Sequence, residues 1–564
     1  MSKKIKIIFL GLTFLAAPFI ARATIIDFNV DPSYDYSDRT KITAFLYQFG
    51  TNAYFYVEDG FYQSLNDEEK KRFAENMKNL SQEFDNAIYP QLTKFLGSEW
   101  TPGIDGDRRI IVLLSRIKMD SGGYFNPGDE YPKIQIPTSN EKEMIYLNAN
   151  YIESPLAKSY LAHELVHLIT FNQKNKTYGI SEEIWLNEGR AEYVPTLLGY
   201  DNNFEGSNLQ NRVRTFVQGP NDSLTEWKNE SPDYGVLNIF IQYLVDHYGT
   251  KILTDSLHFG GTGIPSLNAA LIKNGYSEDF SQIFSNWTIA VSLNDCNMGM
   301  KYCFLNPNLK NLKILPQLNY LPLAGESTLT VVNYTKDWTG NWVKFIGGQG
   351  MLKIEFIGEQ KVNFEVPYLI QDSAGNYSIN FLKLDNSQGG TVYISNFGKK
   401  YNSLIMIPSL QNKLLGFDGI EPFYKFIWSA SIVNENSGEE ELINNLLAQI
   451  EFLKAEILKV QAQINAILTG KGQSVSCQRF ENNLYYGLKN SSEVRCLQEF
   501  LKNQGTGIYP EGSITGNFLT ATRTAVIRFQ EKYKEEILIP LGLGEGTGFV
   551  GPTTRAKINQ LSGK

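Results

Sequence analysis

A chain of 564 residues is too long for one hydrophobic core, so three or four domains are expected. Its composition, 42% hydrophobic and 20% charged, is that of an ordinary globular protein rich in Tyr and Phe. A net charge of −8 argues against nucleic acid as the main partner, because phosphate binding needs concentrated basic surface.

The N-terminus reads as a secretory signal. Lys3, Lys4 and Lys6 precede an apolar run from Ile7 to Ile20, and Ala21-Arg22-Ala23 places small residues at both cleavage-determining positions. Residues 1–23 are therefore expected to be removed before Thr24, and the run is short for a bilayer span. No later stretch has the length and apolarity of a membrane helix, so a secreted protein of the cell envelope or wall is expected. The four cysteines fit export. Cys296 with Cys303 and Cys477 with Cys496 form two local pairs without C-x-x-C spacing, and each is expected to close a disulfide in its own domain.

Residues 24–316 have mixed character. Ala53–Glu58, Arg109–Leu114 and Met144–Leu147 read as strands, with an amphipathic helical stretch over Asp67–Phe95 between the first two. From Ser154 the pattern turns helical. Ser154 as N-cap and Pro155 in the first turn predict one helix start, and further helices are expected over Glu183–Leu198 and Tyr234–Tyr248. A sheet-bearing half followed by a helical half is an α+β arrangement with a cleft between them.

Residues 317–434 change to strand-like runs broken by Gly, Asn and Asp turns: Leu329–Val332, Met351–Phe356, Lys361–Val366, Tyr377–Leu382 and Thr391–Ile394. An all-β, sandwich-like domain is expected. Over 438–469 a heptad places Ile443, Ile450, Ile457 and Ile464 at one seam position and Leu446, Leu453, Val460 and Ile467 at the other. That is a coiled-coil seam suited to two or three strands, whose partner is either a second copy or the same chain. Gly470–Ser474 is a flexible joint. In 477–564, Thr515-Gly516 before Thr522-Arg523-Thr524-Ala525 is echoed by Thr547-Gly548 before Thr553-Thr554-Arg555-Ala556. Two turn-then-helix units of duplicated origin make a small helical domain.

The chemistry lies in His163-Glu164-Leu165-Val166-His167. On a helix, two His four apart project from one face and can share an ion at about 2.0–2.1 Å. Glu164 is offset toward the place a bound water takes, where a carboxylate acts as general base. The chain has only four His, and two are here, flanked by Leu161, Leu165, Leu168 and Ile169 as an interior helix requires. A catalytic zinc takes a third protein ligand, and Trp185-Leu186-Asn187-Glu188-Gly189-Arg190-Ala191-Glu192 is the candidate segment.

These two motifs together resemble the gluzincin metallopeptidases, the clan of thermolysin-like, aminopeptidase N-like and hyicolysin-like enzymes, over about Tyr54–Tyr248. The resemblance implies a thermolysin-like α+β catalytic domain with one zinc on His163, His167 and Glu188. It further implies Glu164 as base, with Asn187 and Glu192 fixing the imidazoles through their far nitrogens. It also implies a Tyr as oxyanion donor from the helix after the ligand helix; Tyr234 matches, while His247 and His258 are the other candidates. Glu182 and Glu183 read as a solvated acidic face. Gly122–Asp129 resembles a loop of hyicolysin-like peptidases beside the substrate edge strand. Asp105-Gly106-Asp107 has a spacing that fits calcium and a hairpin turn equally well. The tail, with Val494-Arg495-Cys496-Leu497-Gln498 and Thr547-Gly548-Phe549-Val550-Gly551-Pro552, is similar to the peptidoglycan-binding type 1 family over nearly all of Cys477–Asn559. It departs at Leu519, where that family has Gly.

The reading is a secreted zinc peptidase acting on protein or peptide substrates and retained at the wall by its tail. Two others stay open: a peptidoglycan-remodelling hydrolase, and a wall-bound adhesion or scaffolding protein with a relict zinc site.

Overall fold

The structure, a computed structural model, describes residues 25–563 apart from 120, 417–419, 478, 511 and most of 434–476, where positions 443, 446–447, 450–451, 453–461 are described. The expected signal at 1–23, Ile464, Ile467 and the 470–474 joint lie outside the described residues. The chain divides into two compact units, Met1–Leu442 and Ile443–Lys564.

The first unit begins with strands β1 (Ile25–Asn29), β2 (Lys41–Phe49), β3 (Ala53–Glu58), β4 (Ile110–Ser115), β5 (Gly123–Tyr124) and β6 (Met144–Asn148). They form one sheet in the order β1-β2-β3-β4-β6-β5. β3, β4 and β6 run parallel, whereas β1–β2, β2–β3 and β5–β6 pair antiparallel. The parallel strands are apolar throughout because both faces are covered. Phe55, Val57, Val112, Leu114, Ile145 and Leu147 face the helices. Alternate residues Tyr56, Ile111, Leu113, Met144 and Tyr146 pack on the opposite face with Phe28 and Ile42.

Helices α1 (Asp59–Ser64), α2 (Asp67–Glu83) and α3 (Tyr89–Leu96) connect β3 to β4. Asn66 and Glu69 cap α2 reciprocally, and a π-helical turn at Phe84–Ile88 joins α2 to α3, so the expected Asp67–Phe95 stretch is helical throughout. After β6 comes α4 (Ala157–Thr170), which begins later than the Ser154 start expected from sequence. Ser154 Oγ accepts the Leu156 N–H and its carbonyl accepts Ala157 N–H, so Ser154 closes a turn ahead of the helix. α5 (Ile184–Leu197), α6 (Asn208–Gln218) and α7 (Ser231–Tyr248) follow. Gly189 permits α5 to approach α7: a Cβ there would stand 3.0 Å from Ile241 Cγ1.

Helices Lys251–Leu257, Gly263–Lys273 and Phe280–Leu293 complete the helical half, and a disulfide joins Cys296 to Cys303 beyond them. The strands that begin at Gln317 then form two leaves, antiparallel except that Gln317–Leu321 runs parallel to Val343–Gly347. One contains Ser327–Thr335, Tyr424–Val433, Gly350–Gly358 and Gly389–Phe397; the other contains Tyr377–Phe381, Pro367–Asp372, Tyr401–Met406, Val343–Gly347 and Gln317–Leu321. One residue pair, Phe397 with Tyr401, links the two leaves. Their inner faces meet over Phe345, Phe356, Phe426 and Trp428, with the Phe345 and Trp428 rings edge-to-face at 4.9 Å. The expected strand Lys361–Val366 shortens to Phe364–Glu365, because Lys361 takes a left-handed φ of 69° in a turn. Trp338 and Trp342 of this β lobe share one apolar cluster with Phe240, Phe284 and Trp287 of the helical half.

In the second unit the described residues between 443 and 461 are helical. Ile443, Leu446, Ile450, Leu453, Ile457 and Val460 are 45–56% exposed. Helices Ser492–Asn503, Thr520–Lys532 and Pro552–Leu561 enclose a small core, and a disulfide joins Cys477 to Cys496. The sequence echo is a structural repeat. Buried Gln498 donates to Thr515 Oγ1, Asn517 O and Thr522 Oγ1 and accepts Gly516 N–H. Gln530 donates to Thr547 Oγ1, Phe549 O and Thr554 Oγ1 and accepts Gly548 N–H. Each buried amide thereby ties a Thr-Gly turn to the start of the next helix, satisfying groups that would be costly to leave unpaired.

Candidate metal centre

α4 carries His163 and His167 one turn apart, with ring centroids separated by 4.8 Å. Leu161, Ala162, Leu165, Val166, Leu168 and Ile169 bury the remaining surface of the helix against the sheet and its neighbours. α5 brings Glu188 opposite them: Oε2 lies 3.2 Å from His163 Nε2 and Oε1 lies 3.6 Å from His167 Nε2. Two donors each about 2.1 Å from one tetrahedral ion are separated by about 3.4 Å, so this spacing fits zinc. The three ligand atoms lie within 4.8 Å of one another, and among the described residues no other cluster of three His, Cys, Asp or Glu does so. Glu188 Oε2 is buried and without a hydrogen bond, as an oxygen reserved for a cation would be.

The electrostatics agree with the donor set. Burial opposes an imidazolium at His163, yet the Glu188 carboxylate beside it, with Glu164 and Glu192, pushes His163 up to about 9. The centre therefore favours positive charge. Burial, with the charge of His163, lowers His167 against the pull of Glu188. Glu164 is pushed up to about 8 by burial, with Glu188 and Glu192 adding and His163 opposing. A carboxyl so raised is suited to exchanging a proton near neutral pH. Gly123 of β5 makes room for it: a Cβ there would stand 2.9 Å from Glu164 Cγ and 2.5 Å from Tyr146 O.

Glu192, one turn beyond Glu188, is buried with Oε1 3.5 Å from His163 Nδ1. Arg212 of α6 grips it with two bonds of 2.7 Å, and Asn208 and Asn238 donate at 3.0 and 3.3 Å. Burial alone would raise Glu192, but Arg212 holds it down to about 2. Asn187 Oδ1 and His167 Nδ1 are both buried without a direct hydrogen bond, while the Asn187 side chain acts to raise His167. Tyr234, at the start of α7, donates its hydroxyl to Asn229 Oδ1 at 2.9 Å and lies over Arg212, ring centroid to guanidinium 4.6 Å. Burial and then the Glu188 and Glu192 charges raise its phenol.

Other candidates stand apart from the centre. His247 Nε2 is 2.9 Å from Cys303 O, and His258 Nε2 is 2.9 Å from Leu96 O. Asp105 pairs with Lys142, and Asp107 with Arg109 and Tyr54, in a turn whose Asp107 N–H donates to Asp105 Oδ1. The expected solvated acidic face at Glu182 and Glu183 is corrected. The Glu182 side chain is 1% exposed and lies 2.7 Å from Arg190 and 3.6 Å from Lys174, while Glu183 accepts from Trp185 Nε1. The segment before α5 turns inward, and buried cations neutralise it. Arg212, Asn208 and Asn238 carry no motif; the i, i+4 spacing of Asn208 and Arg212 was the one available signal.

Comparison with known proteins gives two sequence matches. The profile of the peptidoglycan binding domain family matches residues 490–558. The neutral metalloprotease ShpI of Staphylococcus hyicus is 28% identical over 224 residues, covering 35% of this chain and 48% of its own length. The chain thus spans about half of that relative. Among solved structures, a collagenase pre-peptidase C-terminal domain from Bacillus anthracis covers 21% of this chain at 8% identity and TM-score 0.14. The lysozyme inhibitor PliG of Aeromonas hydrophila, matched over 100% of its length against 96% for the collagenase domain, has the same identity, score and share of this chain. At that score neither carries weight for the fold.

Proposed function

We propose that this protein is a secreted zinc peptidase of gluzincin type, held at the cell wall by its C-terminal unit. The observation that carries the reading is the convergence of His163, His167 and Glu188 donors within one ion's reach, beside buried Glu164. Likeness to a neutral metalloprotease supports a metallopeptidase, and the match over 490–558 supports association with peptidoglycan. Among the described residues no helix is long and apolar enough to cross a membrane.

Zinc held by His163, His167 and Glu188 would supply Lewis acidity for a bound water and for a peptide carbonyl. The chain's own groups do the rest. β5 ends the sheet, so an extended peptide adds along its outer edge and is held by main-chain hydrogen bonds. Glu164 takes a proton from the attacking water and returns one to the leaving amine. Tyr234 exchanges its bond to Asn229 for one to the developing oxyanion. Glu192, clamped by Arg212, fixes the His163 ring through Nδ1.

The test is metal content and casein hydrolysis of the purified full chain, before and after chelation. Glu164→Gln is expected to retain zinc and lose most hydrolysis. Cleavage that survives chelation, or full activity in the variant, overturns the reading. The 490–558 match favours one second reading, peptidoglycan cross-bridges as substrate; muropeptide release from sacculi by wild type but not Glu164→Gln would shift the assignment there. Deleting everything after Asn434 is expected to leave casein hydrolysis intact and abolish co-sedimentation with sacculi.

A further inference from the structure

The helix that opens the second unit keeps its apolar seam in solvent. Ile443, Ile450 and Ile457 at one seam position, and Leu446, Leu453 and Val460 at the other, are each 45–56% exposed. None of the six belongs to an apolar cluster of either unit. Among the described residues, then, no segment of the same chain covers the seam. Most helices in proteins are held by burial of an amphipathic face, and this one has none of that burial. Its exposed ion pairs, Glu451 with Lys454 at 2.8 Å and Glu456 with Lys459 at 3.4 Å, contribute little in water. The face needs a partner.

The spacing says what kind of partner. Eight seam positions from Ile443 to Ile467 alternate by three and four residues, with no polar residue among them. That run lies within the roughly three to four heptads over which such a pattern specifies a coiled coil. A strict seven-residue repeat closes on a helix with the same repeat, because an ordinary helix drifts about 20° per heptad away from it. The same helix of a second copy supplies that repeat in register. Isoleucine at the first seam position, with Leu446 and Leu453 at the second, is the pattern of two parallel strands. In that pairing Lys454 faces position 449 and Glu456 faces position 461, both glutamine in sequence, so no like charges oppose it.

We propose that this helix is a self-association surface, on which a second copy of the chain packs in parallel as a two-stranded coil. The protein is then a dimer that carries two copies of each compact unit. The inference is independent of the metal centre and of the chemistry proposed there.

The experiment measures the mass of the purified full chain by light scattering over about a hundredfold range of concentration. Wild type is expected at twice the mass of one chain. Ile450→Asp/Ile457→Asp places charge in the seam of each strand and is expected at the mass of one chain. All seven Trp residues precede position 443, so unchanged tryptophan emission shows that the first unit of the variant is folded. A second variant needs no disruption of the helix. The four native cysteines are paired in disulfides, so Ile457→Cys introduces one free thiol per chain. Under mild oxidation a parallel coil brings the two thiols together, and the protein should run as a covalent dimer on a non-reducing gel. Leu458→Cys, one residue off the seam, should stay a single chain. A wild-type mass of one or of three chains overturns the proposal, as does a folded double variant that keeps twice the chain mass. A two-chain mass without cross-linking in Ile457→Cys overturns it too, because the strands then do not run parallel in register.

Discussion

Replacing Glu192 by Gln tests whether the centre depends on the shell behind its ligands. The substitution keeps volume and shape and removes one charge. Five donors converge on this carboxylate: two from Arg212 at 2.7 Å, Asn208 at 3.0 Å, Asn238 at 3.3 Å, and His163 Nδ1 at 3.5 Å. A glutamine offers one acceptor oxygen, and its amide presents a donor to at least one of these donors. Arg212 takes the oxygen because its fork is rigid and charged, leaving His163 Nδ1 facing N–H. His163 then loses the carboxylate 3.5 Å from its Nδ1, an interaction worth about 1.5–3 kcal/mol where it closes to a charge-assisted bond. That corresponds to about 10–100-fold in zinc affinity, the usual effect of losing a carboxylate behind a metal-bound histidine. The assay is competition for zinc against a chelator of known affinity at pH 7.5, with wild type and Glu188→Ala alongside. Glu188→Ala should lose more, since it removes a proposed ligand. Glu192→Gln within threefold of wild type would refute the argument, because it would mean that Arg212 and the ring packing alone hold His163.

Tyr234→Phe is expected to lower the turnover number and leave zinc content and KM nearly unchanged, read by steady-state kinetics; an unaffected turnover number returns Tyr234 to packing. Lys174→Met removes an ammonium that donates to the Ser256, Phe259 and Gly261 carbonyls at 2.9, 2.8 and 2.6 Å and faces Glu182. It should cost about 3–5 kcal/mol, seen as a lower urea midpoint, and an unchanged midpoint would refute it. Glu130 is raised by burial and the neighbouring Glu143 charge, so between the ordinary glutamate value and its folded value the native state binds more protons than the unfolded chain. Stability must then fall as pH rises through that window, and melting curves from pH 5 to 9 should show Glu130→Gln losing less than wild type.

What the sequence discloses depends on how local the physics is. Ala53–Glu58 is readable as a strand because both faces are apolar, and His163–His167 is readable as a ligand pair because a helix fixes their relation. The tail repeat is readable because Thr-Gly turns and following helices recur with their buried Gln. Lys361 breaks its strand because a single left-handed residue outweighs the apolar alternation after it. Glu182 resembles a surface acid until Arg190 and Lys174, from different segments, meet it in the interior.

Arg212 is the limiting case. Nothing in Asn211-Arg212-Val213-Arg214 sets one arginine apart, and its grip on Glu192 needs α5 and α6 to meet. The proposed metal ligands are legible because their chemistry forces residue type and spacing together. A residue that holds a carboxylate in place is under no such local constraint. It needs only a guanidinium in the right place, and any helix that passes there will serve. Sequence motifs therefore mark the reaction proposed for this protein, while the groups that steady its residues emerge only where α5, α6 and α7 come together.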